Sequence, residues 1–83
     1  MAFRVVLPKR VQKDLEKIEL AYRDRIIAAL MALASDPYAG KKLGGEHKGE
    51  WSCRGWPYRI IYRINKNELI VLVVRIGHRQ GVY

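Results

Sequence analysis

The hydrophobic pattern of the chain changes its period at Asp36-Pro37, and this change sets the order of the secondary structure. Before this point, Val11, Leu15 and Ile18 follow the spacing of one helical face. After it, residues 58–64 place Tyr and Ile on one side of a strand and two Arg on the other. The sequence therefore predicts a first half that is mainly helical and a second half that is rich in strands.

The first half is predicted to contain one strand and two helices. Residues 3–7 are apolar and β-branched enough for a strand, and Pro8 suits the start of a helix because its missing N–H has no partner there. A second helix is predicted over residues 22–35, because the ring of Pro37 disfavours a helical conformation at Asp36. Its apolar residues surround the helix, which predicts burial on more than one side.

The second half is predicted to contain a loop and three strands. Glycine, proline and lysine are frequent in residues 36–49, which indicates a flexible basic loop. The strands are expected at residues 51–54, 58–64 and 69–76. The predicted fold class is α+β, with an N-terminal strand and a two-helix hairpin packed on one face of a mainly antiparallel four-stranded sheet. At 83 residues, we expect a single domain over residues 1–83.

Charge and cysteine content narrow the classes of function. Sixteen Lys and Arg stand against eight Asp and Glu, and the net charge of +8 favours a polyanionic partner such as nucleic acid. Cys53 is the only cysteine, which excludes an internal disulfide and a cysteine-based zinc site and favours a reducing compartment. The longest apolar run, residues 26–34, is about half of the roughly 20 residues that a membrane span requires. We therefore expect a cytoplasmic protein with no membrane partner.

The motifs of cofactor and metal enzymes do not occur in the sequence. It contains no P-loop, no dinucleotide-binding glycine fingerprint and no His-Glu-x-x-His, so we expect no cofactor and no metal. The remaining candidates are basic, imidazole and phenolic side chains of the second half: Arg54, Arg59, Arg63, Arg75, His78, Arg79 and Tyr83. Such groups can cleave RNA, because RNA supplies its own nucleophile, the 2′-hydroxyl.

Three of these residues are the candidate catalytic groups. Arg59 can clamp a phosphate, since a guanidinium binds two phosphate oxygens at once and stays charged. Arg79 and Tyr83 are four residues apart and share a face in a helix or in a strand. A tyrosine has a reference pKa of about 10, and neighbouring arginines would lower it by favouring the phenolate.

Two segments of the chain resemble the RelE toxins of the RelE/ParE superfamily. One is Trp51-Ser52-Cys53-Arg54-Gly55-Trp56-Pro57-Tyr58-Arg59-Ile60-Ile61-Tyr62, with its Tyr-Arg-x-x-Tyr element, and the other, residues 74–83, ends in Gly-His-Arg-x-x-Val-Tyr. The resemblance extends to the whole chain, including Leu43-Gly44-Gly45 and the helical hairpin. It implies a RelE-like fold of the microbial RNase type.

The resemblance also implies a function and roles for individual residues. RelE toxins belong to type II toxin-antitoxin systems and inhibit translation as metal-independent endoribonucleases that cleave mRNA in the ribosomal A site, leaving a 2′,3′-cyclic phosphate and a 5′-hydroxyl. By this resemblance, Arg59 would stabilise the transition state, Arg79 would help to expel the leaving oxygen, and Tyr83 would act as the base or orient the nucleophile. Arg54 would bind the substrate phosphate, and a RelB-like antitoxin would cover the site.

Further substrate contacts are expected around this set. Relatives often carry a basic residue two positions before Arg54, and here that position is Ser52. Lys42 or Lys48 is expected to supply the missing charge, Trp56 to stack on a base, and His78 is a possible further acid or base.

Other interpretations of the same residues stay open. Arg59 and Arg63 also fit the solvated face of an antiparallel strand, while Tyr58 and Tyr62 fit the core. ParE-like relatives share the predicted fold and poison DNA gyrase by binding it, without nuclease activity. Ser52 also leaves open a toxin that binds RNA or its antitoxin without cleaving.

Overall fold

The computed structural model describes residues 2–78, in which two helices pack on one face of a five-stranded sheet. The helices are α1 (Lys9–Glu16) and α2 (Leu20–Ser35). The strands are β1 (Arg4–Val6), β2 (Lys41–Lys42), β3 (Trp51–Gly55), β4 (Tyr58–Asn65) and β5 (Ile70–His78). Two short 3-10 helices, Pro37–Ala39 and Gly45–His47, lie in the connection from α2 to β3. The predicted α+β class is confirmed.

The sheet has the order β1-β5-β4-β3-β2, and only the β1–β5 pair is parallel. The prediction of four strands missed β2, where Lys41 pairs with Ser52 and Lys42 with Trp51. A strand of two residues is too short to show the alternation on which strand prediction depends. Part of the predicted flexible loop is therefore the edge strand of the sheet.

One hydrophobic core fills the space between the helices and the sheet. It is formed by buried side chains of α1, α2, β4 and β5 together with Ile18: Val11, Ile18, Ile26, Leu30, Leu33, Ile60, Tyr62, Val71, Val73 and Ile76. Tyr62 is fully buried, and its hydroxyl donates a hydrogen bond of 2.6 Å to the carbonyl oxygen of Pro37. This bond fixes the chain after α2 to the centre of the sheet.

Helix α2 buries a single face, so the expectation of burial on several sides was wrong. Ile26, Leu30 and Leu33 face the core, whereas Ile27 and Met31 are 42% and 69% exposed. The layered architecture explains the difference, because a helix resting on one sheet has no second layer above it. An apolar stripe of α2 is consequently left without a cover among the described residues.

Helix α1 covers the edge of β5 beyond the short strand β1. The register of β1 ends at Val6 opposite Leu72, and further along β5 the backbone N–H of Ile76 donates to the Asp14 carboxylate at 3.2 Å. A helix side chain thus satisfies a sheet N–H that has no strand partner. This contact places the last turn of α1 beside β5.

A bulge in β5 determines which side chains lie on the sheet face turned away from the helices, here called the distal face. Tyr62 pairs with Val73, but Ile61 pairs with Arg75, so Val74 is an extra residue on β5. Since Tyr62 and Val73 belong to the core, Ile61 and Arg75 lie on the distal face. Without the bulge, strict alternation would direct Arg75 into the core.

The segment between β2 and β3, residues 43–50, is here called the covering loop and folds over part of the distal face. The N–H of Leu43 donates to the carbonyl oxygen of Glu50, which closes this segment into a loop. Ser52 and Ile61 are cross-strand partners on the distal face, yet they are only 2% and 3% exposed. His47, in the 3-10 helix Gly45–His47, lines a cavity together with Ile61. The middle of the distal face is therefore covered.

Candidate functional site

Arg54 and Arg59 form a pair at one end of the distal face. They are direct partners across β3 and β4, and they line a cavity of about 300 Å³. Neither makes a salt bridge within residues 2–78. Two like charges directly opposite each other destabilise a sheet unless an anion lies between them. The arrangement suits a bound phosphate, which a pair of guanidinium groups can grip from two sides.

Ser52 and Lys41 occupy the side of this cavity nearest the sheet edge. The Ser52 hydroxyl is buried and has no hydrogen-bond partner among residues 2–78. Lys41 is the register partner of Ser52, so the two side chains share the distal face. Lys41 thus brings a positive charge close to Ser52, the position at which the resemblance implies a basic residue. The sequence analysis had named Lys42 or Lys48 for this charge.

The other predicted substrate contacts lie away from the Arg54–Arg59 cavity. Lys42 pairs with Trp51, whose side chain packs against the core, so its register position is on the helix side of the sheet. Lys48 is exposed at the end of the 3-10 helix. Trp56 is 53% exposed, as expected for a turn, and its carbonyl accepts a hydrogen bond of 3.5 Å from Arg25 of α2. None of the three lines this cavity.

A second cavity on the distal face, of about 350 Å³, is lined by Ile61, the cross-strand partner of Ser52 in the first cavity. Its charged lining residues come from α1, β5 and the covering loop: Arg10, Glu46, His47, Glu50 and Arg75. Within it, His47 Nδ1 lies 2.9 Å from Glu50 Oε1, and Arg63 donates to the other carboxylate oxygen at 3.3 Å. The sequence analysis did not select His47, Glu50 or Arg10 for any role, because no pattern in the sequence brings α1 and the loop onto this face.

The remaining candidates lie on the helix side or outside the described residues. His78 pairs with Tyr58, and the two rings meet edge to face at 5.9 Å on the side where Tyr58 also contacts Tyr22 of α2. This places His78 on the opposite sheet face from Arg54 and Arg59. Arg79 and Tyr83 lie outside the described residues.

Two groups on the helix side are kept protonated by burial. Burial raises the pKa of the Cys53 thiol to about 11. Burial likewise raises the pKa of the Tyr62 phenol to about 12, aided by the nearby Cys53. The thiol is therefore a poor nucleophile and the phenol a poor base at neutral pH. Chemistry in the described part of the chain depends on the distal face.

Residues 2–78 contain no group of three or more His, Cys, Asp and Glu side chains that could hold a metal ion. Neither helix in this range is long and apolar enough to span a membrane.

An apolar groove lies on the helical side of the molecule. It has a volume of about 330 Å³ and is lined by residues of β1, α1, α2 and the segment between β1 and α1: Val5, Leu7, Leu15, Ile27, Leu30, Met31 and Ala34. The exposed stripe of α2 forms one wall. An open groove with this lining fits the apolar face of a partner helix.

Comparison with known proteins gives a consistent result. The family model for the ParE toxin of type II toxin-antitoxin systems matches residues 5–83. Toxin RelG of Mycobacterium tuberculosis is 32% identical over 89 aligned residues, which cover 100% of this chain and 98% of RelG.

Among solved structures, the toxin-antitoxin complex RelBE2 of M. tuberculosis matches with a TM-score of 0.87 and 27% identity, over 95% of this chain and 93% of the matched chain. The archaeal RelE-RelB complex of Pyrococcus horikoshii matches with a TM-score of 0.80 and 25% identity, over 98% of this chain and 99% of the matched chain.

Proposed function

Since this chain belongs to the RelE/ParE superfamily of type II toxin-antitoxin toxins, with RelE-like relatives, we propose that it is a ribosome-dependent endoribonuclease. In this proposal it enters the ribosomal A site, cleaves mRNA without a metal ion and so inhibits translation in the cytoplasm. The observation that supports the proposal most directly is the Arg54–Arg59 pair, two guanidinium groups directed at one cavity without an ion-pair partner in the described residues.

The proposed reaction requires the protein to position the RNA, to stabilise negative charge and to transfer protons. A base removes the proton of the 2′-hydroxyl, the oxygen attacks the adjacent phosphorus, and the 5′-oxygen departs with a proton. Negative charge grows on the non-bridging phosphate oxygens during the attack, and Arg59 stabilises it while Arg54 holds the phosphate. The expected products are a 2′,3′-cyclic phosphate and a 5′-hydroxyl.

The roles of the C-terminal residues come from the resemblance alone. Arg79 would promote departure of the 5′-oxygen, and Tyr83 would act as base or orient the 2′-hydroxyl. Lys41 joins the two arginines as a phosphate contact, because it lines their cavity. Lys42, Lys48 and Trp56 remain candidates for contacts with more distant parts of the mRNA or with ribosomal RNA. His78 receives no role in this scheme.

The direct test is cleavage of mRNA on programmed ribosomes. Purified protein is incubated with ribosomes whose A site is either empty or filled by a tRNA, and the mRNA ends are mapped and their chemistry determined. The proposal predicts cuts within the A-site codon when the site is empty, with cyclic phosphate ends. Absence of cleavage under both conditions would contradict it.

We also propose a cognate RelB-like antitoxin as the partner that occupies the apolar groove. Two of the related structures are the toxin-antitoxin complex RelBE2 and a RelE-RelB complex, and the groove of this chain is open to an amphipathic helix. An antitoxin with acidic segments would complement the charge of +8. Burial of a Met side chain contributes about 1.5 to 3 kcal/mol, so Met31→Lys should weaken the complex at least tenfold.

The antitoxin test uses the product of the adjacent reading frame in a binding titration. Ala28→Lys introduces the same charge at an exposed position of α2 that does not line the groove, and it serves as the matched control. Equal affinities of the two variants would remove the groove from the proposed interface.

A second candidate function is inhibition of DNA gyrase, favoured by the ParE name of the matching family model. This activity needs a protein-binding surface and makes no use of paired arginines aimed at a phosphate. A supercoiling assay separates the two proposals. Gyrase inhibition that survives Arg59→Ala, together with intact mRNA on ribosomes, would favour the gyrase poison.

A further inference from the structure

A histidine and a glutamate of the covering loop form a hydrogen-bonded pair on the distal face. His47 Nδ1 lies 2.9 Å from Glu50 Oε1, and the side chain of Glu50 is only 13% exposed. The second carboxylate oxygen accepts a hydrogen bond of 3.3 Å from Arg63, which fixes the carboxylate from the strand side. A ring that donates from Nδ1 to a fixed carboxylate carries its lone pair on Nε2, the arrangement of an imidazole base.

We propose that His47 is the general base that takes the proton of the RNA 2′-hydroxyl, with Glu50 as its positioning residue. This inference rests on the proposed nuclease function and adds a catalytic group that the motifs of the sequence do not contain. Of the two roles proposed for Tyr83, it leaves the orientation of the 2′-hydroxyl.

The position of the pair relative to the arginines supports this role. Arg59 and Ile61 lie on the same face of β4 two residues apart, which is about 7 Å along a strand. Ile61 lines the His47 cavity, while its cross-strand partner Ser52 lines the cavity of Arg54 and Arg59. The two cavities therefore lie on either side of the directly paired Ser52 and Ile61. A nucleotide whose phosphate lies between the arginines can direct its ribose towards the loop.

The strands supply no imidazole or phenol to this face within residues 2–78. Ser52, the strand residue between the two cavities, holds a small, buried hydroxyl. The phenols of Tyr58 and Tyr62 lie on the helix side of the sheet, as does His78. Among residues 2–78, His47 is thus the one imidazole on the distal face.

Charged groups from every neighbouring element surround the His47 ring. The loop contributes Glu46 and Glu50, β5 contributes Arg75, α1 contributes Arg10, and Arg63 of β4 reaches Glu50. The carboxylates stabilise an imidazolium once it has taken the proton, while the arginines keep the cavity attractive to a phosphate.

Nε2 of His47 accepts the 2′-hydroxyl proton while the 2′-oxygen bonds to phosphorus, and the bond from phosphorus to the 5′-oxygen breaks. The leaving oxygen takes a proton from water, and the imidazolium later returns its proton to solvent. The products are the 2′,3′-cyclic phosphate and the 5′-hydroxyl, with no other reactant consumed.

The test compares the only two histidines of the chain in single-turnover cleavage on programmed ribosomes between pH 5.5 and 8.5. His47→Gln should lose at least 10²-fold in rate and lose the acid limb of the pH profile, as expected for removal of a general base. His78→Gln removes the other imidazole from the helix side, and its rate should stay within threefold of wild type with the acid limb intact. Glu50→Gln should cleave RNA more slowly than wild type but keep the acid limb of the pH profile.

A rescue experiment guards against a merely structural effect of the substitution. Free imidazole should restore cleavage to His47→Ala and should not affect Arg59→Ala. A His47→Gln variant that keeps wild-type rate and profile would overturn this inference while leaving the nuclease function in place. Absence of cleavage by the wild-type protein would overturn the nuclease function and this inference with it.

Discussion

Removal of the Tyr62 hydroxyl is expected to lower the free energy of unfolding by about 1 to 3 kcal/mol. The hydroxyl donates to the Pro37 carbonyl at 2.6 Å in a fully buried setting, so Tyr62→Phe leaves that carbonyl without its partner. An unsatisfied buried polar group costs about 1 to 3 kcal/mol. In a domain of this size, each kcal/mol lowers the thermal midpoint by about 4 to 8 °C.

The neighbouring Gly40 makes this prediction sharper. A Cβ atom at Gly40 would overlap the Tyr62 hydroxyl oxygen and lie 2.8 Å from the Ser52 carbonyl oxygen. Gly40→Ala alone should therefore cost about 1 to 3 kcal/mol through overpacking. In the Tyr62→Phe background the closer of the two contacts is gone, so the second substitution should cost less than it does alone.

The double-mutant cycle is measured by urea unfolding of the four proteins at neutral pH. The double variant should be more stable than the sum of the single effects predicts, by more than about 0.5 kcal/mol. Additivity of the two substitutions within about 0.3 kcal/mol would refute the packing of Gly40 against Tyr62.

Three further predictions concern the buried groups of the helix side. Because burial raises the pKa of Cys53 to about 11, iodoacetamide at pH 8 should label the native protein far more slowly than the unfolded chain, and equal rates would contradict the burial. The raised pKa values of Cys53 and Tyr62, about 11 and about 12, mean that the folded state holds protons which the unfolded chain loses from about pH 9 and pH 10. The free energy of unfolding should therefore fall as the pH rises from about 9 to 12, and less steeply in Cys53→Ala, as followed by urea midpoints. A Cβ atom at Gly55 would lie 2.6 Å from the Cδ1 atom of Ile26, so Gly55→Ala should lower the thermal midpoint, and Ile26→Val, which removes that atom, should relieve part of the loss.

Long periodic segments of the fold could be predicted from the sequence, whereas short elements could not. Helix α2 begins at Leu20 and ends at Ser35, close to the predicted residues 22–35, because Pro37 gives a strong stop signal. The exposure of Ile27 and Met31 was missed, since an apolar run does not reveal how many layers will cover it. Strand β2 was missed because it has only two residues.

The sheet face on which Arg59 lies followed from alternation, whereas its pairing with Arg54 and the neighbours of the pair depend on register. Arg59 was placed on the face opposite Ile60 by the period of the strand, and the structure has it there. The placement of Arg75 depends on a single extra residue, Val74, and a bulge of this kind leaves no signal in an apolar strand. The distinction between Lys41 and Lys42 depends in the same way on one residue of register.

His47 illustrates a limit of motif-based reasoning. The residue lies in a glycine-rich loop without periodicity, and only the folding of that loop over the sheet brings it beside Glu50. A His-x-x-Glu spacing by itself indicates little. The contact across the loop, and the Arg63 guanidinium behind it, give the pair the geometry of an oriented imidazole.

We propose that RNA is cleaved at the arginine pair of the distal face, and the ratio of two cleavage rates tests this proposal. Single-turnover cleavage on programmed ribosomes is measured for Arg59→Ala and for Arg25→Ala, a variant that loses the same charge from exposed α2 on the other side of the sheet. Loss of an electrostatic stabiliser predicts a fall of about 10²-fold or more for Arg59→Ala, with Arg25→Ala within threefold of wild type. Equal rates for the two variants would contradict the account.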